Sequence, residues 1–561
     1  MTEARPNAAM TMPRQSVGEE QLGRRWALAF STTFALVLCA AVALRAYGLA
    51  FGLPFLYDFD EPTFSDRAFL MIQTGDFNPH WFGHPGTTTI YSLALAYALY
   101  GLVGIAAGWF ASWPDVIQQY WWDPSGFILI GRAVIAAFGI LMVVLTYAVA
   151  RRVTGRWTAL IAMVIVAVAP LTVEYSRIIR PDSQLAVIIL ACLWFAMSYS
   201  DSGRTRDLLL AGAMLGLGMA TKYPALMLAP IIGLAWLLRT GWSVSAWLRN
   251  SPRLIGAGMA AVGAAFIASP FLFLDIRTAI NDVVMEGERY HLSATSNGFL
   301  PTLRWYIDGI LGSSLTIAGL LLAAVGFVVL LRSWRRPAIL LCVYFVMFLL
   351  VLSTMRLRWD RWALPLLPAA AVFASVGFSA VITMIVAPQR PRLGMALAAA
   401  LAFIWLSIPL ARSMERARGL ATHYSISLAW QWVMENVEPG ATVLAERYTP
   451  QLPRDRYTLL EAQENGDIAP VADRGQAFLR ADRALAQAHD VWHLHAAGIQ
   501  YVMLGNDYDR RLAEGARERD AVRLYRHIMD CGELVYQQNP VPGRVAGAPV
   551  RVYRIGPACD R

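Results

Sequence analysis

The feature that most constrains this chain is a succession of apolar runs, each close to the length of a bilayer crossing, separated by short polar breaks. The first extends from about Trp26 to Ala50, behind Arg5, Arg14, Arg24 and Arg25. Others fall near 127–150, 157–173, 183–200, 208–221, 224–238, 254–274, 309–331, 338–353, 363–386 and 395–411. A helix rises ~1.5 Å per residue, so ~20 apolar residues cross the hydrocarbon layer while satisfying their own backbone hydrogen bonds. The expected fold is mainly α, a polytopic membrane bundle of about eleven spans. Composition excludes a purely soluble chain, because only 16% of the residues are charged, where soluble domains carry ~25%.

The first run holds Ala41-Val42-Ala43, the small-x-small form of a signal-peptidase site. It continues past Arg45 to Phe55, however, and has spanning length, so it reads as an uncleaved anchor entering from the cytoplasm. The formal charge of +9 arises largely from arginines in short loops, which is the signature of membrane topology and not of nucleic-acid binding. The stretch 87–110 is also apolar. If it crossed, the loop 111–126, which has acids and no cation, would be cytoplasmic, and Arg151, Arg152 and Arg156 would be exported. We therefore read it as interfacial. The loops carrying Arg204/Arg206, Arg239/Arg249/Arg253, Arg332/Arg335/Arg336 and Arg390/Arg392 then all face the cytoplasm.

This parity gives a cytoplasmic tail 1–25, a membrane domain 26–412 with a large first outer loop 51–126, and an extracytoplasmic domain 413–561. In a bacterium the host membrane would be the inner, cytoplasmic one. The terminal domain reads as small and α/β, with a helix near 429–435, strands at 442–445, 501–504, 534–536 and 550–553, and a helical stretch near 476–495. Cys39, Cys192 and Cys342 sit in apolar runs as small hydrophobes. Cys531 and Cys559 are either free thiols or one disulfide.

Ionisable residues on the outer side need a reason. Asp58-Phe-Asp60-Glu61-Pro62 follows the first span, and Pro62 suits the first turn of a helix that Gly75 ends. Asp60 and Glu61 at its amino end are favoured as carboxylates, available as a base or merely as caps. Asp58-x-Asp60 also has the form of a divalent-metal pair. His84 lies in an aromatic turn, Trp81 to Thr87. Arg180 and Asp182, Lys222 (the chain's single lysine), and Arg358 and Arg361 come from separate outer loops. Cations set against the topological gradient point to an anion in the outer leaflet, such as a lipid phosphate headgroup; the alternative is interfacial snorkelling and structural ion pairs.

The pattern Asp60-Glu61, Gly75-Asp76-Phe77, His84-Pro85, Ile90-Tyr91, Arg180-Pro-Asp182, Thr221-Lys222-Tyr223-Pro224 and Asp360-Arg361-Trp362-Ala-Leu-Pro365 resembles the GT-C membrane glycosyltransferases of the protein O-mannosyltransferase and lipid A aminoarabinose transferase superfamily. The tail segment Ala429-Trp430-x-Trp432 with Pro439-Gly440 is similar to members with an external C-terminal domain. The resemblance implies a polyprenyl-phosphate sugar donor, inverting transfer, and no required cofactor, with a divalent metal possible. The acceptor would be a lipid, polysaccharide or protein, with membrane lipids as surroundings and no nucleic acid. It implies Asp60 as catalytic base, Glu61 and Asp182 as orienting acids, and His84, Arg180, Lys222, Arg358 and Arg361 around the donor phosphate. Gly86 stands where a second Pro is common after His-Pro. Two rival functions remain: a metal-dependent, oligosaccharyltransferase-like enzyme, and a non-catalytic flippase or transporter for lipid-linked sugars.

Overall fold

The computed structural model describes residues 17–54, 58, 60–83, 85–288, 294–385, 391–463, 465–472, 475–488, 493–513, 519–541 and 544–560. His84, together with Tyr290 and His291 of the 275–308 loop, lies outside them. α1 (Val17–Ala46) carries the first span, and α2 (Glu61–Thr74), α3 (Thr87–Ala106) and α4 (Trp113–Trp122) build the stretch 51–126. Then follow α5 (Ser125–Val153), α6 (Arg156–Val168), α7 (Pro170–Tyr175), α8 (Asp182–Ser202), α9 (Thr205–Thr221), α10 (Leu228–Thr240) and α11 (Val244–Ala268). After these come α12 (Phe271–Leu274), α13 (Ile276–Glu288), α14 (Phe299–Arg304), α15 (Gly312–Arg332), α16 (Arg336–Thr354), α17 (Leu366–Ile385) and α18 (Pro391–Thr422).

Among the described residues ten helical segments are long and apolar enough to cross a bilayer. The tally differs from the expected eleven for local reasons. The run 157–173 is broken by extended Ala169 and Pro170 into α6, of 13 residues, and α7, while α9 has 17. α3 does have spanning length and hydropathy. It packs on α2, α5 and α9: Leu93 and Tyr97 lie against Gly131, Tyr100 against Gly126, Thr88 against Thr221, and its later Gly101 and Gly104 against Trp113 and Phe110.

Small residues let the central helices approach closely. A Cβ on Gly212 or Gly216 of α9 would collide with the carbonyls of Ala257 and Ala261 on α11, and Gly326 and Gly377 play the same part between α15 and α17. At one end of the bundle the arginine loops meet: Arg239 donates to the Asp201 carbonyl (2.9 Å), Arg336 to that of Ser200 (3.0 Å), and Arg335 to that of Val153 (3.4 Å). The opposite end carries α2, α3 and the loops that follow α7, α9 and α16.

α18 continues ten residues beyond 412, so the terminal fold starts at α19 (Ser425–Asn436). Its sheet contains β1 (Thr442–Ala445), β3 (Thr458–Ala462), β4 (Ile468–Pro470), β6 (Tyr501–Leu504), β7 (Glu533–Gln538) and β8 (Val550–Arg554) in the order β4-β3-β1-β6-β8-β7. β1 is parallel to both its neighbours, and β2 (Leu452–Pro453) pairs with β5 (Phe478–Leu479) apart from it. The helix expected near 476–495 is not formed: β5 and a single 3-10 turn at Leu485–Gln487 occupy the described part of that stretch. The domain's other helices are α20 (Asp507–Ala513) and the strongly amphipathic α21 (Arg519–Cys531). Cys531 is disulfide-bonded to Cys559, closing the alternative left open by the sequence.

Candidate active site

The site is assembled where the start of α2 meets the loop between α7 and α8. Pro62 occupies the first turn of α2, and Asp60 takes a helical conformation immediately before it. Adjacent residues on a helix point ~100° apart. Glu61 consequently turns inward while Asp60 stays at the surface. The Glu61 carboxylate accepts two bonds from the Arg132 fork (2.8 and 2.7 Å) and one from the Ile179 N–H (3.1 Å), and both charged side chains are fully buried. Arg132 also donates to the Leu49 and Phe51 carbonyls and lies 3.8 Å from the Phe51 ring centroid. Burial raises the Glu61 carboxyl above the usual glutamate range, against the pull of Arg132.

This differs from the expectation that Glu61 orients a substrate. Both its oxygens are engaged within the protein, and it fastens α2 to α5 and to the α7–α8 loop. Arg132 was missed by sequence reasoning. The available signal was a cation inside an apolar run, which is rarely tolerated without a buried partner.

Asp60 is 45% exposed and meets Arg180 at 2.8 Å and Arg361 at 4.0 Å. Arg180 spans two carboxylates: its other terminal nitrogen lies 3.0 and 3.1 Å from the two oxygens of Asp58, which itself accepts the Asp60 N–H. Burial disfavours the Arg180 charge, but Asp58 and Asp60 outweigh it and hold the guanidinium protonated. In this arrangement a guanidinium sits between the two carboxylates considered as metal ligands, and no cluster of three His, Cys, Asp or Glu exists among the described residues.

Asp182 begins α8 and pairs with Lys222 at 2.7 Å, both buried. The turn after His84 docks against the same segment. Gly86 donates to the Thr221 carbonyl (3.0 Å) and Thr88 bonds Thr221 through its hydroxyl (2.7 Å), while Thr89 donates to Gln184 (2.6 Å). Gly86 has φ +56°, which proline's ring forbids, so the departure from a second proline has a conformational cause.

Arg361 lies over the Trp359 ring at 4.3 Å, and the neighbouring Asp360 accepts from Tyr175 at 2.7 Å, tying the α16–α17 loop to α7. Thus Asp60, Arg180, Asp182, Lys222 and Arg361 share one end of the bundle. Arg358 belongs to the same α16–α17 loop. It lies over Trp305 (5.3 Å) and lines a cavity of about 550 Å³ with Leu300, Pro301, Arg304 and Asp308.

Comparison with known proteins follows this geometry. Residues 128–273 match the family profile described as dolichyl-phosphate-mannose-protein mannosyltransferase. The structure aligns with the apo oligosaccharyltransferase of Archaeoglobus fulgidus at TM-score 0.50 and 12% identity, covering 86% of this chain and 71% of that one. The peptide-tethered form of the same enzyme gives 0.50 and 12% over 91% and 73%. The fold is that of the GT-C membrane glycosyltransferases. The apo ArnT of Cupriavidus metallidurans aligns at TM-score 0.49 and 14% identity over 95% of this chain and 98% of its own. No curated protein sequence matches the chain.

Proposed function

We propose that this protein transfers a glycosyl group from a polyprenyl-phosphate donor to an acceptor hydroxyl at the outer face of the membrane, with inversion. The observation that carries the reading is Asp60, a half-exposed carboxylate held between Arg180 and Arg361 at the membrane-domain surface. The partial match to a dolichyl-phosphate-mannose transferase family and the GT-C fold support the donor class. The orientation is supported by the arginine loops gathered at the opposite end.

In this mechanism Asp60 takes the proton of the acceptor hydroxyl as its oxygen bonds to the anomeric carbon. The bond from that carbon to the phosphate oxygen breaks, and the electron pair leaves on polyprenyl phosphate. Arg361 is the cation best disposed toward that oxygen. Arg180 and Lys222 are already engaged with carboxylates and hold the surrounding charge, with His84 as a further phosphate contact. Asp182 fixes Lys222, and Glu61 acts as a positioning residue through Arg132. The cavity beside Arg358, walled by Leu300, Pro301 and Trp305, suits the first isoprene units of the donor. A lipid, polysaccharide or protein acceptor satisfies this chemistry equally.

The test is Asp60→Asn in the purified enzyme with a polyprenyl-phosphate sugar. Loss of a positioned base costs ~10²-fold or more in kcat. Retention of turnover within about threefold of wild type would remove Asp60 from the role of base.

A further inference from the structure

A second cleft opens along α2. It has a volume of about 620 Å³, within the ~300–1,000 Å³ range of small-ligand pockets. One wall is the outer face of α2 and the loop after it, with Thr63, Asp66, Arg67 and Asp76. The facing wall comes from the terminal domain, through Arg480 and Asp482. That second wall is held in place, since Ala477 donates to the Trp122 carbonyl at 3.0 Å and Arg454 lies over the Trp122 ring at 5.4 Å.

The position of the cleft ties it to the reaction. Asp60, Thr63, Arg67, Leu70 and Thr74 recur at helical spacing, so they form one stripe that starts at the proposed base and runs out along the cleft. Its lining mixes acids and cations. Arg480 donates to Asp482 (2.7 Å), Asp76 holds His80 (2.7 Å), and Asp66 accepts from Tyr120 (2.7 Å). The lining interleaves three carboxylates, Asp66, Asp76 and Asp482, with two guanidiniums, Arg67 and Arg480, so it has no cationic excess for a phosphorylated lipid and no run of acids for a basic peptide. Paired carboxylates and guanidiniums present acceptors and donors side by side, which suits hydroxyl groups.

We infer that this cleft is the acceptor subsite and that it takes an uncharged glycan chain, whose terminal hydroxyl reaches Asp60 along the α2 stripe. This rests on the proposed function, and the experiment separates the two. Membranes of a deletion strain carrying each variant are supplied with radiolabelled polyprenyl-phosphate sugar. Label is counted in the polysaccharide, lipid and protein fractions and as free sugar released to water.

Wild type should label the polysaccharide fraction. Arg480→Glu and Asp66→Asn should each cut that label at least tenfold while leaving free-sugar release within twofold. The paired reversal Arg480→Asp with Asp482→Arg keeps the balance of charge and should restore part of the label. Label found chiefly in protein or in lipid, or polysaccharide label unchanged in Arg480→Glu, would overturn the inference. Failure of the proposed function has a different signature: Asp60→Asn would then retain both free-sugar release and transfer.

Discussion

The two ends of the helical bundle use arginine in different ways. At the end where Arg239, Arg335 and Arg336 gather, guanidiniums cap helix carbonyls at Asp201, Val153 and Ser200. At the other, Arg132 grips Glu61 and Arg180 bridges Asp58 and Asp60, with Arg361 close by. Carbonyl-capping arginines near water satisfy helix ends, a job that many cations can do together. Arginines bound to carboxylates in a dry setting fix geometry, and there each partner is needed, because a lone buried charge is costly.

This contrast is most open to attack at Glu61 and Arg132. Removing one charge alone, as in Arg132→Ala, should destabilise the fold by ~3–5 kcal/mol, read as a large fall in the thermal inactivation temperature in detergent. The paired replacement Glu61→Leu with Arg132→Leu should recover most of that stability, which an active-site role for Glu61 would not by itself explain. Next in size is Arg361→Ala. If this cation serves the leaving phosphate, kcat should fall by ~10²-fold, with stability changed little. A loss of stability comparable to that of Arg132→Ala would instead make Arg361 another clamp.

A third effect lies in the terminal domain. Glu446 is buried against Tyr525 and the Gly505 and Leu485 N–H groups, and burial, with Asp507 nearby, pushes its carboxyl up to about 7. A carboxyl raised in the folded state keeps its proton while the unfolded chain loses it. The domain should therefore lose stability as pH rises from the ordinary glutamate range to about 7, and Glu446→Gln should flatten that dependence in a thermal-shift titration. The smallest effect belongs to the carbonyl-capping end: Arg336→Ala should cost less than ~1 kcal/mol and leave turnover within about twofold.

The charged cluster of the candidate site was legible in the sequence, and the reasons are specific. Asp60, Arg180, Asp182, Lys222 and Arg361 stand out because charge beside hydrocarbon is costly enough to be rare and conspicuous. The division of labour between Asp60 and Glu61 was not legible. Whether the inward position of α2 receives a partner depends on Arg132, seventy-one residues away on another helix. The terminal domain shows the same limit. Its short apolar strands at 442–445 and 501–504 were readable, whereas within 476–495, which has helical composition, Phe478 and Leu479 pair with Pro453 and Leu452 as β5 and Leu485–Gln487 form a 3-10 turn.

The sequence by itself determined that this chain lives in a bilayer and which residues carry the unexplained charge, because hydropathy and charge placement act locally, run by run. Only the tertiary structure decided which carboxylate is sealed and which is presented, that Cys531 meets Cys559, and that the terminal domain walls a cleft beside α2. Those outcomes depend on side chains far apart along the chain arriving within hydrogen-bonding distance, and residue spacing encodes no such distance.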